Sequence, residues 1–376
     1  MITTSIFPGR YVQGADALEL LGEETERLGQ SPLVLVDPLV MNEMKSKVVD
    51  PLNRFNPVLE KFSGECSQSE IDRLVEIAIA TCVDLIIGIG GGKTMDTAKA
   101  VAHALGRAVM IVPTIASTDA PCSALSVIYK EDGQFERYQL LPNNPDTVLV
   151  DTELVAKAPV RFLVAGMGDA LATWFEAESC RIRRAANMTG RLGTMTAYAL
   201  AELCYDTLVD YGRIAVTACE QEVVTPALEH VVEANTLLSG LGFESGGLAA
   251  CHAIHNGLTA IEDTHRYWHG EKVAIGVLAG LFLTDQSSAR IDEVYDFCID
   301  IGLPVTLSDI GLKPVTADKL NTIAAAACAP GETIHNEPHD ISPDRVVWAL
   351  KVADAEGNRR KALHHALDRS ADIVAA

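Results

Sequence analysis

The stretch from Val83 to Lys99, Val-Asp-Leu-Ile-Ile-Gly-Ile-Gly-Gly-Gly-Lys-Thr-Met-Asp-Thr-Ala-Lys, leaves this chain few choices of fold. The apolar run over 83–87 reads as a buried strand, the glycines at 88, 90, 91 and 92 as a turn, and the residues from Thr94 onward as a helix. Such a turn can hold an anion. Glycines let the backbone approach closely, and the first free N–H groups of the helix point outward with the positive end of its dipole behind them. Gly92-Lys93-Thr94 imitates the end of a P-loop, but Ile87 stands where that motif needs a glycine, and Lys93 breaks Gly-x-Gly-x-x-Gly. A dinucleotide, another phosphate ligand and a purely structural turn all remain open.

The surrounding sequence alternates in the same way. A helical pattern over 11–28 leads into an apolar strand at Leu33–Val36, closed by Asp37-Pro38. Asp37 is either a ribose-binding carboxylate at a strand end or a turn residue before proline. A linker at 53–64, a helix over 69–80 with Ser67 in its cap region, and a strand at 108–112 follow. A hairpin pairs 126–129 with 137–141, and one more strand, 147–150, ends in Asp151. Alternating strands and helices predict a parallel sheet with its ligand beyond the carboxyl ends of the strands. Pro113–Pro121 lies at such an end, rich in hydroxyls and carrying Asp119, so it is a ligand-contact loop or a hydrated turn. Beyond Pro159 strand signals stop, and helical periodicity continues with breaks at Gly240-Leu-Gly, Gly246-Gly247, Gly302-Leu-Pro304 and Pro330-Gly331. Two domains are expected, 1–159 and 160–376.

With 48% hydrophobic residues in 376, both domains can have cores. A net charge of -21 argues against nucleic acid and anionic membrane surfaces as partners. The 9 cysteines are scattered without a Cys-x-x-Cys pair, as in a reducing compartment. No leader is expected at the N-terminus, and the longest apolar stretch, 273–283, is too short to span a bilayer, so a soluble cytoplasmic protein is expected.

In the helical half, His252, His255, His265 and His269 crowd into one short stretch out of 10 histidines in all. His252 and His255 are three apart, so they share a helix face, and His265 and His269 are four apart. Imidazoles with a carboxylate suit a divalent zinc or iron ion. The pattern is not His-Glu-x-x-His, which disfavours a metalloprotease. Several carboxylates could complete the set; Asp169, in Gly-Met-Gly-Asp-Ala, opens an Ala-rich helix and is either a ligand or an N-cap.

Gly-Gly-Gly-Lys-Thr-Met-Asp-Thr-Ala-Lys, Pro-Thr-Ile-Ala-Ser-Thr-Asp-Ala-Pro-Cys-Ser-Ala-Leu-Ser-Val-Ile-Tyr, Gly-Asp-Ala-Leu-Ala-Thr-Trp-Phe-Glu-Ala, His-Ala-Ile-His-Asn-Gly and His-Gly-Glu-Lys-Val-Ala together are highly specific. Over nearly its whole length the chain resembles the metal-dependent polyol dehydrogenases often called iron-containing alcohol dehydrogenases. The resemblance implies a dehydroquinate synthase-like fold, α/β plus all-α, with an N-terminal Rossmann-like nucleotide-binding domain, a C-terminal helical metal-binding domain and the active site in the cleft. It implies reversible oxidation of glycerol to dihydroxyacetone, and of other vicinal diols, by hydride transfer to NAD from a metal-bound alkoxide. It assigns the metal to Asp169, His252 and His269. It assigns NAD to Asp37 at the adenine ribose, Gly92 and Lys93 at the diphosphate, and Thr114, Ser117, Ser123, Leu125 and Tyr129. Asp119 would hold a polyol hydroxyl, and His255 is a candidate proton relay. Iron-using relatives carry a histidine one turn after the aspartate, where this chain has Thr173, so three ligands and an open place favour zinc. Cys251 beside His252 is expected to make the site sensitive to thiol reagents. The family also implies a homo-oligomer, up to an octamer.

Overall fold

The computed structural model describes residues 2–43 and 45–375. They pack as two compact units, each discontinuous in sequence: Ile6–Gly166 with Ile214–Glu244, and Met1–Ser5 with Met167–Arg213 and Ser245–Ala376. The sequence division at 159 was a single cut; the packed units instead place 214–244 with the sheet.

The first unit is built on a six-stranded parallel sheet. Its strands are β1 (Tyr11–Gly14), β2 (Pro32–Val36), β3 (Val58–Lys61), β4 (Leu85–Gly90), β5 (Ala108–Pro113) and, beyond an antiparallel hairpin of β6 (Leu125–Tyr129) and β7 (Phe135–Leu140), β8 (Thr147–Asp151). Their order is β1-β8-β5-β4-β2-β3. The central strands β2 and β4 are buried along their entire length, which is why they read as continuous apolar runs rather than alternating ones. Helices α1 (Leu21–Leu28), α2 (Pro38–Glu43), α3 (Lys45–Val49), α4 (Gln68–Ala80), α5 (Gly92–Leu105) and α6 (Thr152–Lys157) connect the strands or follow the last of them. Ser67 caps α4 through the Glu70 N–H, and Asp151 caps α6 through the Glu153 N–H.

Three expectations change here. The helix read over 11–28 holds only from Ala17, as a 3-10 turn at Ala17–Leu20 that runs into α1; Tyr11–Gly14 instead lies parallel against β8. The linker at 53–64 contains β3, paired with β2. Both are four-residue strands at the two edges of the sheet, where the pairing partner rather than a local pattern decides the conformation. The glycine turn is also shorter than read, because Gly88 and Gly90 belong to β4. A Cβ at Gly88 would stand 2.5 Å from the Ala98 methyl, so this glycine lets α5 pack on the strand.

The second unit is helical. The chain continues through α7 (Val160–Arg183), α8 (Met195–Glu220), α9 (Pro226–Glu233), a π-helical turn at Ala234–Leu238, α10 (Ser239–Gly246), α11 (Ala250–Thr259), α12 (His269–Leu283), α13 (Ser288–Ile301), α14 (Ala317–Ala327) and α15 (Pro343–Ala375), of which α9, the π-helical turn and most of α10 pack with the first unit. No strand among the described residues follows β8. The stretch 273–283 lies in α12, almost wholly buried. No helix among the described residues is long and apolar enough to cross a membrane. Gly240 does not break its helix; it gives α10 room, since a Cβ there would meet the Asp119 carbonyl oxygen at 3.0 Å.

Candidate functional site

In the helical unit, α7, α11 and α12 bring three donors together. Asp169, fully buried, places Oδ1 3.0 Å from His269 Nε2 and 3.4 Å from His252 Nε2. Two glycines make this possible. A Cβ at Gly168 would lie 2.4 Å from the Gly270 carbonyl oxygen, and one at Gly276 would lie 2.3 Å from that of Cys251, so these helices approach closely only without side chains there. Asp169 sits ten residues into α7 and not at its start, which removes the N-cap reading. Among the described residues, Asp169, His252 and His269 form a group able to hold a metal ion, their donor atoms all within 4.8 Å of one another.

The donors shift one another's proton affinities. Burial opposes ionisation of Asp169, yet the two imidazoles outweigh it and hold the carboxyl well below its usual range. Burial likewise opposes a charged His252, but Glu176 and Asp169 raise its proton affinity well above that of free histidine. One carboxylate and two imidazole nitrogens make a donor set that fits a divalent zinc or iron ion.

His255 joins the cluster, its ring centroid 4.1 Å from that of His269 and Nδ1 3.1 Å from Asn256 Oδ1. Burial first, then His269 and Lys272, push its proton affinity well down. His265 does not join; it is exposed, with Nε2 2.9 Å from the Thr259 carbonyl oxygen. Thr173 lies one turn after Asp169 on α7, fully buried. Cys251 is buried, and burial pushes its thiol well up, which disfavours the thiolate that thiol reagents attack.

In the sheet unit, Gly91 caps α5 and Gly92 begins it, with nothing within 4 Å of a Cβ built at Gly92. Lys93 pairs with Glu65 at 2.6 Å and sits over the Tyr129 ring at 4.7 Å. Asp37, after β2, accepts from the Leu39 N–H at 2.9 Å, so its turn role is real whatever else it binds. Thr114 donates its N–H to the Gly90 carbonyl, and Thr114 and Ser117 are half-buried in the loop after β5. Asp119 is buried and accepts from the Ser239 hydroxyl at 2.8 Å.

Buried Lys99 holds this loop from beneath. Its ammonium pairs with Asp96 at 2.9 Å and donates to the carbonyls of Ala120, at 3.0 Å, and Leu125, with the Ser123 carbonyl and hydroxyl each at 3.4 Å. Residues from far along the chain complete the clamp. Asn235, in the π-helical turn, donates to the Ala116 carbonyl at 3.0 Å, and Glu244 accepts from the Ala124 N–H at 2.6 Å and from Asn144. These bonds explain why 214–244 packs with the sheet.

Residues 8–152 match the model of the iron-containing alcohol dehydrogenase family. The glycerol dehydrogenase of Thermotoga maritima is 61% identical over 364 residues, which cover 96% of this chain and 100% of that one. The chain belongs to this family. The glycerol dehydrogenase of Escherichia coli O6:H1 is 55% identical over 94% of this chain and 96% of its own. The crystal structure of glycerol dehydrogenase from Schizosaccharomyces pombe superposes with a TM-score of 0.91 at 40% identity, covering 97% of this chain and 93% of that one. The dehydrogenase fold of a parallel sheet with helices and a helical C-terminal portion is therefore shared.

Within this family member, sequence reasoning passed over Lys99, Asn235, Ser239 and Glu244 around the loop, and Glu176 behind His252. Glu176 had a signal: with Asp169 and Thr173 it is spaced 0, 4 and 7 along α7, one helix face.

Proposed function

We propose that the chain catalyses NAD-linked, reversible oxidation of glycerol at its secondary hydroxyl to dihydroxyacetone, with zinc held by Asp169, His252 and His269. The convergence of these donors, in a chain so close in sequence to glycerol dehydrogenases, carries the reading. When bound, zinc would supply Lewis-acid polarisation of the alcohol oxygen and NAD would take up the hydride. Asp169 would contribute the single negative charge of the set, and each histidine would offer Nε2, the ring nitrogen near Asp169 Oδ1. Three protein donors suit zinc with an open place, and Thr173 offers no fourth imidazole.

The start of α5 at Gly92, with Lys93, would hold the diphosphate of NAD, and Asp37 the adenine ribose. Thr114, Ser117, Ser123, Leu125 and Tyr129 would contact the remainder. Asp119, held by Ser239, would accept a hydrogen bond from a second hydroxyl of the polyol and so favour vicinal diols. His255, kept neutral by burial, would serve as the proton relay.

The test is NADH formation by the purified chain, with glycerol and with a monohydric alcohol, before and after Asp119→Ala. A hydrogen bond to a charged group is worth about 1.5–3 kcal/mol, so the variant should lose roughly 10- to 150-fold on glycerol and much less on the simple alcohol. Equal losses remove Asp119 from the substrate role, and no NADH from glycerol overturns the activity.

A further inference from the structure

We infer that Glu176 is a positioning residue for the metal ligand His252, fixing its ring, its tautomer and its backbone at once; the inference rests on the proposed zinc site. Glu176 lies on α7, fully buried, and both of its oxygens are committed to α11. Oε2 stands 2.6 Å from His252 Nδ1, while Oε1 accepts from the N–H groups of Ala249 at 2.8 Å and of His252 itself at 2.9 Å. An ionised carboxylate has only acceptors. Facing Oε2, Nδ1 keeps its proton when the ring is neutral, so the lone pair that a metal ion would use is on Nε2, the nitrogen beside Asp169. The backbone bonds fix the first turn of α11, from which the same ring projects.

Glu337 provides a control within the molecule. It also caps α11, with Oε1 accepting from the Ala250 N–H at 2.9 Å and Oε2 from the Ser179 hydroxyl at 2.7 Å, and it does not bond the His252 ring. A glutamine at 337 keeps both contacts, because the serine hydroxyl can turn from donor to acceptor. At 176 no orientation of a glutamine works. With its carbonyl at Nδ1, its amide N–H groups face two backbone donors; with its carbonyl on the backbone, its amide drives the ring to the tautomer that carries a proton on Nε2.

The decisive measurement is the zinc dissociation constant by chelator competition for wild type, Glu176→Gln, Glu176→Asp and Glu337→Gln, alongside the melting temperature of each metal-free protein. Glu176→Gln should weaken zinc about 10- to 100-fold, the range for losing such a support. Glu176→Asp keeps the charge but is too short to span Nδ1 and the backbone together, and should weaken zinc at least about 3-fold. Glu337→Gln should bind zinc within about 3-fold of wild type. If Glu176→Gln does not fold, unchanged affinity in Glu176→Asp overturns the inference, as does equal weakening in the 176 and 337 variants. If wild type binds no zinc, the proposed metal site fails instead, so the two failures are distinguishable.

Discussion

The donor cluster and the loop carrying Asp119 fix polar groups in opposite ways. Asp169, His252 and His269 stand on three long-range helical neighbours, drawn together by missing side chains at Gly168 and Gly276 and oriented by one buried carboxylate. The loop from Thr114 to Ala124 has only a three-residue 3-10 turn of regular structure and is held by side chains from other elements: Lys99, Asn144, Asn235, Ser239 and Glu244. A site on helices keeps its geometry through packing, whereas a site on a loop needs every backbone group near it answered. Loss of a donor should therefore hurt chemistry more than stability, and loss of a clamp the reverse.

Asp169→Asn should show the first half most strongly. A bound metal supplies several kcal/mol to the transition state, so kcat with glycerol should fall at least about 1000-fold. A loss in activity that merely tracks a loss of folded protein would break the contrast. Lys99→Met tests the other half, since it leaves Asp96 buried without its ammonium. Removing one partner of a buried pair costs about 3–5 kcal/mol, visible as a large drop in melting temperature in the metal-free protein. Ser239→Ala is the exception among the clamp residues, because its bond goes to the Asp119 side chain and not to the loop backbone: about 1 kcal/mol corresponds to a roughly five-fold drop in kcat/KM for glycerol at nearly unchanged stability. The last effect is visible only through pH and belongs to Glu244, which burial raises from 4.5 to about 7. Between those values the folded chain keeps a proton that the unfolded chain has released, so Glu244 costs stability progressively as pH rises through that window and no more above it. In Glu244→Gln the decline in melting temperature from about pH 5 to about pH 8 should be shallower than in wild type; an identical slope would remove Glu244 from the clamp's electrostatics.

The same contrast sets what could be read in advance. Histidines three apart on a helix announce a shared face, and β4 followed by α5 announces itself by its buried run and glycines, because these signals are local. The clamp is not local: Asn235, Ser239 and Glu244 are more than 100 residues from the loop they hold, and nothing in their own neighbourhoods marks them. Strands β1 and β3 escaped for the same reason, their conformation being set by β8 and β2. His265 shows the reverse error, a residue close in sequence to ligands whose ring turns to the Thr259 carbonyl instead.

The central claim, a zinc site of three donors that supports polyol oxidation, is tested most directly by stripping the protein with a chelator and returning zinc in graded amounts while following NADH formation from glycerol. Activity should vanish in the metal-free protein and return in proportion to zinc, levelling off at about one ion per chain, as the single donor group among the described residues requires. Undiminished activity in verified metal-free protein, or no recovery at any zinc level, would contradict it.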